Sequence, residues 1–445
     1  MADMPPRLDE THDPALHSWV ESAQSPTTDF PIQNLPHGVF RRGGSGEPWR
    51  GGIAIGDQVL DLRAALDKGL FEGPLTATAE AAARAPLNDY MGMPRAQRRA
   101  LRQAVSSLLS VNDARRRTTA ECLVAQRDVE YSLPARVENF SDYFSSLHHA
   151  TNVGRLFRPD NPVLPNYRWL PVGYQGRVSS LRVSGVDFTR PSGQLKLPDQ
   201  EAPVFAPCRR LDYEVELGLL VGPGNELGSP IDIARVDEHL FGVCLLNDWS
   251  ARDIQSWEYQ PLGPFLAKSF FTSLAPWVVT LDALEPFRSR FARPTGDPEP
   301  LPHLWCDELA ERGAFDIRVE MTLQSAAMRE AGHPPMRLSI SRYTDAYWAP
   351  AQLLAHQTSN GSNLCPGDLL GSGTISGPDP SSHACLIELT EGGKKPLYLP
   401  TGEMRTFLED GDTVCMRGHC ERDGHVRIGF GECRTTVLPA RRGRE

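Results

Sequence analysis

A mostly apolar run over residues 240–246 is followed, after Asn247, by a carboxylate, Asp248. A run without polar alternation reads as a strand buried on both faces, so that carboxylate is expected at the end of a core strand. Ser250 and Asp253 have the spacing of a capping box, which predicts a short helix starting there. On that helix Arg252, Gln255 and Tyr259 stand at i, i+3 and i+7 and share a face. Lys268 and Thr272 follow closely. A carboxylate, a guanidinium, an amide, a phenol and an ammonium are thus aimed at one volume. A helix-terminal carboxylate beside a solvated polar face would look the same in sequence.

At 445 residues the chain is too long for one ordinary core, so two domains, or one large domain with an appendage, are expected. Its net charge of −10 argues against a nucleic-acid or anionic-membrane partner, since no basic field exists to release counterions. No apolar run approaches the ~20 residues needed to cross a bilayer. Residues 1–14 are polar and acidic, unlike a secretion signal. Nine cysteines, an odd number and without a C-x-x-C pair, fit neither a disulfide framework nor a zinc ribbon. The expectation is a cytoplasmic, reduced protein.

Residues 1 to about 30 read as a polar tail with a few anchoring apolar positions. Between residues 30 and 62, short apolar segments separated by turns suggest a small β unit, with Gly56 and Asp57 as a two-residue hairpin turn. Residues 75–110 read as helix, and Leu101, Val105, Leu108 and Leu109 form an apolar stripe against Arg95, Arg98, Arg99 and Arg102. Those arginines are expected to be a solvated face. A linker over residues 111–134 then leads into a larger region of many short strands, including one over residues 385–390.

Three stretches there could carry chemistry. Ser141 and Gly154 predict a helix start and stop, and Asp142 and His149, seven apart, would lie about 20° from eclipsed on that helix. Residues 211–217 alternate strictly, placing Asp212, Glu214 and Glu216 on one strand face with no basic residue among them. A hard cation such as Ca²⁺ or Mg²⁺ would relieve that repulsion, as would water and salt over an exposed face. Glu388, between Leu386 and Leu389, is a candidate buried acid. Nucleotide loops, G-x-S-x-G and H-E-x-x-H are absent.

Taken together, these pieces resemble the fumarylacetoacetase family over nearly the whole chain. The residues that carry the likeness are DFPIQNLP (29–36) and AIGDQ (54–58), then HATNVG (149–154), LPVGY (170–174) and VGPGN (221–225). NDWSARDIQ (247–255), PLGPF (261–265) and SGTISG (372–377) complete it. The resemblance implies a mixed, mainly β fold: an N-terminal SH3-like β-barrel with a helical segment over residues 15–134, and a larger mixed-β catalytic domain over 135–440, in a homodimer. It also implies hydrolysis of the carbon–carbon bond of a small diketo acid, 4-fumarylacetoacetate, to fumarate and acetoacetate, the last step of tyrosine and phenylalanine degradation.

By position, the family's pattern implies Asp142, Glu214, Glu216 and Asp248 as ligands of Ca²⁺ or Mg²⁺, with Lys268 and Thr272 around the metal. His149 matches the base that activates water and Glu388 the carboxylate that orients it. Arg252, Gln255 and Lys268 match oxyanion donors, and Arg158, Tyr174, Gln255, Tyr259 and Thr374 substrate contacts. Two positions depart. Phe144 stands where the family has a substrate-binding tyrosine, with Tyr143 beside it, and Phe271 replaces a glycine. A relative acting on another diketo acid such as an acylpyruvate, or a silent metal-binding scaffold, is the alternative.

Overall fold

The computed structural model describes residues 8–441. The first sheet holds β1 (His37–Arg42), β2 (Arg50–Ile55), β3 (Gln58–Asp61), β4 (Leu123–Ala125) and β5 (Val129–Ser132), in the order β4-β3-β2-β1-β5, all antiparallel. Such a curled antiparallel sheet fits the expected barrel-like unit. Gly56, at φ +55, opens the two-residue turn between β2 and β3, and a Cβ there would sit 2.3 Å from Ser22 Oγ. Residues 111–134, expected as a linker, instead supply both edge strands. They pair with β3 and β1 across long sequence separations, which local composition does not reveal.

Helices α1 (Pro74–Ala83) and α2 (Arg95–Leu109) pack on this sheet. The stripe of Leu101, Val105, Leu108 and Leu109 is buried as predicted. The arginine face is not solvated, however: Arg98 and Arg102 are only 6% and 4% exposed. Arg102 donates to Thr11 Oγ1 and to the carbonyls of Gln33 and Asn34, because the segment before β1 wraps over that side of the helix. The same wrapping corrects the expected polar tail from residue 8 onward. Thr11 and His12 are buried, in a short helical turn capped by Asp9; residues 1–7 lie outside the described part.

The second sheet is formed by β6 (Phe140–Tyr143), β7 (Gly173–Gln175), β8 (Leu181–Val183), β9 (Val215–Val221), β10 (Leu240–Asp248), β11 (Thr272–Leu274), β12 (Val279–Thr280) and β15 (Leu369–Gly371). Its order is β7-β6-β15-β9-β10-β11-β8, with β12 beside β10. A third sheet contains β13 (Arg318–Gln324), β14 (Met336–Arg342), β16 (Thr413–Cys420) and β17 (Ile428–Leu438), with the short strand Phe188–Thr189 at its edge.

The second sheet is covered on both faces, which explains the unbroken apolar run of β10. Val243 and Leu245 point into the large core shared with the third sheet, while Cys244 and Leu246 join the core shared with the first sheet and α2. Every residue of β10, including Asp248, is buried. Among the described residues no helix is long and apolar enough to cross a membrane, and the nine cysteines are free.

Several local expectations change. Residues 140–143 form β6, paired in parallel with β15, rather than a helix starting at Ser141. The helix α3 runs over Leu147–Phe157, capped by Ser146, whose Oγ accepts from His149 N. Gly154 lies inside it: a Cβ there would sit 2.1 Å from Pro162 O, so the glycine serves a close approach rather than a stop. Ser250 caps nothing. It pairs with Asp212 across a two-residue ladder and its Oγ donates to Asp248 O, so Ala251 takes the N-cap position and α4 (Arg252–Glu258) begins one residue later than expected. After α5 (Leu266–Ser269) and α6 (Pro350–Thr358), residues expected as a strand form α7 (Leu386–Leu389). The distant Asp212 carboxylate accepts from the N–H groups of Leu386 and Ile387, fixing that helical turn.

Candidate active site

The face of the second sheet that packs on the first sheet ends in a cluster of polar groups. Register explains which residues meet. Tyr174 is opposite Asp142, Asp142 opposite Gly371, and Gly371 opposite Gly218. Glu216 lies two residues before Gly218 and faces Leu246, while Asp248 faces Thr272. Side chains alternate along a strand, so Tyr174, Asp142, Glu216, Asp248 and Thr272 all emerge on one face. Oxygens of Asp142, Glu216 and Asp248 lie within 4.8 Å of one another.

Gly371 makes that convergence possible, a role the sequence reading missed. A Cβ at this position would lie 2.3 Å from Asp142 Oδ1 and 3.2 Å from Glu216 Oε2. The next turn of chain also serves the cluster, since Gly373 N donates to Glu216 Oε2 and the buried Thr374 follows it.

Burial pushes the carboxyls of Asp142 and Glu216 well above the ordinary range; the charge of Asp248 adds to both shifts, and that of Asp142 adds to the one on Glu216. Asp142 Oδ1 is buried without a hydrogen-bond partner. Three clustered hard oxygen donors, one of them unsatisfied, in a cradle with no Cβ, suit a divalent cation. Tyr174 donates its hydroxyl to Asp248 Oδ2 at 2.9 Å, and Thr272 Oγ1 lies 3.4 Å from Asp248 Oδ1.

Glu214, the fourth carboxylate expected around the metal, stands beside this cluster and is paired with two cationic side chains. Lys268 Nζ bridges Glu214 Oε2 and Asp248 Oδ2, and Arg252 Nη1 is 2.7 Å from Glu214 Oε1. Burial would raise the Glu214 carboxyl, but Lys268, Arg252 and His149 outweigh it and keep it ionised. Lys268 is pushed up in turn by its two carboxylates against its own burial. Asp212 also lies on this side, though not in the cluster: it accepts from Arg252 Nε at 2.9 Å. Arg252 Nη1 reaches Gln255 Oε1 at 3.2 Å, while Nη2 is buried without a partner and is free to donate.

The second centre is His149. Its Nδ1 lies 2.7 Å from Glu388 Oε2, and its Nε2 is 4.0 Å from Glu214 Oε1, so the ring faces Glu214 at the side of the carboxylate cluster. The shared-face geometry expected of Asp142 and His149 is not what brings them near, since one is on β6 and the other on α3. Glu388 is 4% exposed and accepts four donors: His149, Asn152 Nδ2 at 2.9 Å, Ser376 Oγ and Cys385 Sγ at 3.0 Å. Burial would raise its carboxyl; His149 and the other donors overcome this and pull it down to about 2. Asn152, Ser376 and Cys385 went unrecognised in the sequence, although the first two lie inside quoted motifs.

Phe144 sets its ring edge-on to His149, centroids 5.1 Å apart. Tyr143 does not replace the missing hydroxyl. As the last residue of β6 it points to the opposite sheet face from Asp142, and its OH bonds to Leu353 O and Gln357 Oε1. Phe271 packs away from the carboxylates, stacked on Phe188 at 4.7 Å and edge-on to Trp249. Phe157 and Tyr259 are in ring contact at 6.1 Å, bringing the ends of α3 and α4 together. Arg158, next to Phe157, donates to Pro162 O. Neither Arg158 nor Tyr259 hydrogen-bonds to the carboxylate cluster.

A family model described as fumarylacetoacetate (FAA) hydrolase, C-terminal, matches residues 139–438, and one described as fumarylacetoacetase, N-terminal, matches residues 33–134. Fumarylacetoacetases of Bos taurus and Homo sapiens are each 47% identical over 419 residues, covering 93% of this chain and 97% of theirs. The fumarylacetoacetase of Oryza sativa subsp. japonica is 46% identical over 434 residues, covering 96% of this chain and 98% of its own.

Proposed function

The chain belongs to the fumarylacetoacetate hydrolase family, and we propose from that premise that it cleaves 4-fumarylacetoacetate to fumarate and acetoacetate. The observation that carries the reading is the His149–Glu388 pair facing a buried carboxylate cluster beside Arg252 and Lys268.

Glu388 holds the Nδ1 proton of His149, which leaves Nε2 as the acceptor toward the pocket. Nε2 removes a proton from water, and the oxygen adds to the carbonyl next to the substrate's alkene. The resulting oxyanion is met by Arg252, through its unpartnered Nη2, by Gln255 and by Lys268. Collapse breaks the bond to the neighbouring CH₂, and that carbon leaves as the acetoacetate enolate, which is then protonated. Asp142, Glu214, Glu216 and Asp248 would hold a divalent cation, with Lys268 and Thr272 around it, and the Lewis acidity it would supply there suits an enolate leaving group. Calcium or magnesium is the ion we assign, from the all-oxygen donor set. Phe144, Arg158, Tyr174, Gln255, Tyr259 and Thr374 form the substrate pocket in this reading.

We further read residues 15–134 and 135–440 as the two domains, a division supported by the two family models, and the protein as a cytoplasmic homodimer. Water labelled with ¹⁸O tests the chemistry: one label should enter the new carboxylate of fumarate. An unlabelled fumarate would rule out attack at that carbonyl. If an acylpyruvate were cleaved faster than fumarylacetoacetate, the apolar wall at Phe144 would define a different diketo-acid specificity.

A further inference from the structure

Far from the carboxylates, a small cavity lies where α2 and β1 meet β10. It is lined in part by His37, Tyr90, Arg95, Arg98, Arg102 and Asp282, and has a volume of about 10 Å³. That is close to the smallest space able to hold one water or one small ion. Its charge is unbalanced. Three guanidiniums face one carboxylate, and Asp282 Oδ1 is already taken by Arg95 at 2.8 and 3.1 Å.

Arg98 is the key group. It is 6% exposed, stacks over the Phe241 ring at 5.2 Å, and has no ion pair among the described residues; its Nε is buried without any partner. Arg102 is 4% exposed and donates only to neutral oxygens. His37 adds a second unsatisfied atom, Nδ1, while its Nε2 lies 3.3 Å from the Tyr90 hydroxyl. Burial, with Arg102 and Arg98 nearby, pushes the imidazole down to about 3, so it is a neutral donor at working pH. A water could satisfy hydrogen bonds here but would leave Arg98 and Arg102 to share the field of Asp282, already bonded to Arg95, with Asp9 acting on Arg102 alone; neither guanidinium would have a directly paired anion, an expensive arrangement in a low-dielectric interior.

We propose that this cavity binds a small monovalent anion of the halide class, chloride under ordinary conditions, as the counter-ion of Arg98 and Arg102. Its donors are Arg98 and His37 Nδ1–H. Its position ties the first sheet and α2 to Phe241 on β10, the strand that ends in Asp248. The anion is a structural joint between the two parts of the chain and takes no part in the reaction.

Crystals of the full-length, metal-loaded protein soaked in sodium bromide test this directly. An anomalous bromine peak between Arg98 and His37 is expected; a cavity holding only a water-sized peak without anomalous signal overturns the proposal. In solution, replacing sodium gluconate by sodium chloride at equal ionic strength should raise Tm by roughly 2–5 °C, saturably. Arg98→Met should abolish that rise. A Tm indifferent to chloride in the native protein, or an unchanged chloride response in Arg98→Met, also overturns it. Should Arg98→Met not fold, the bromide experiment on the native chain decides.

Discussion

Glu388 gathers four hydrogen-bond donors on two oxygens in a site it shares with no solvent. The histidine it orients is the group whose loss should be felt most. His149→Ala should lower kcat by roughly 10²–10⁴-fold while leaving cation affinity within a few-fold of native, because the ring touches none of the clustered oxygens. Steady-state kinetics alongside calorimetric metal titration checks both halves, and retained activity would remove His149 from the role of base. Gly371→Ala should act the other way round. Its new Cβ collides with Asp142 and Glu216, so cation affinity should fall about tenfold or more, and kcat at saturating metal should fall less. Phe144→Tyr should lower KM for fumarylacetoacetate with little change in kcat, since it adds a donor beside the substrate rather than at the reacting carbon. At this scale residue types were legible: Asp248, Glu216, Asp142, His149 and Glu388 stand in sequence patterns that call for explanation. Gly371 was not, because its meaning is an absent side chain between two carboxylates from other strands.

Helix α2 shows what an element-level pattern can and cannot convey. Its apolar stripe was readable from spacing, but the opposite face carries charges that any periodicity argument assigns to water. Burial of Arg98 and Arg102 comes from the segment before β1 and from β10, partners remote in sequence. Arg102→Met should therefore destabilise the fold by about 2–4 kcal/mol, more than an exposed arginine would, because it strips donors from three buried oxygens. Thermal unfolding would register this as a Tm several degrees lower, with kcat unchanged. The strand β6 and the turn α7 exchanged the secondary structure expected of them for a similar reason. Parallel pairing with β15 holds residues 140–143 extended, and the Asp212 carboxylate caps Leu386 and Ile387. Both signals come from across the fold.

At the scale of the whole molecule, the second sheet is clamped between the first and third, and the proposed active site occupies the rim of the clamped face. Protons and cation compete there. Asp142 and Glu216 have folded-state carboxyls raised by burial, so in the metal-free protein they favour folding when protonated, and that contribution is lost as pH rises from the ordinary carboxyl range through their raised values. Glu388, pulled down to about 2, has the opposite sign: its contribution is present above the ordinary range and disappears as pH falls toward 2. Because the cation needs both raised carboxyls ionised, the Tm increase it produces should be larger at pH 8 than at pH 5. Differential scanning fluorimetry with and without metal at the two pH values measures this, and an increase that is equal or reversed would deny Asp142 and Glu216 their part in the site.

Metal-assisted hydrolysis of a diketone is the activity proposed for this chain. The most direct measurement follows loss of the ultraviolet absorbance of fumarylacetoacetate with Mg²⁺, with Ca²⁺, and after chelation. Rapid loss that yields fumarate and acetoacetate, stops on chelation and returns when metal is restored is the predicted result. No loss with either cation present, or loss indifferent to the chelator, would contradict it.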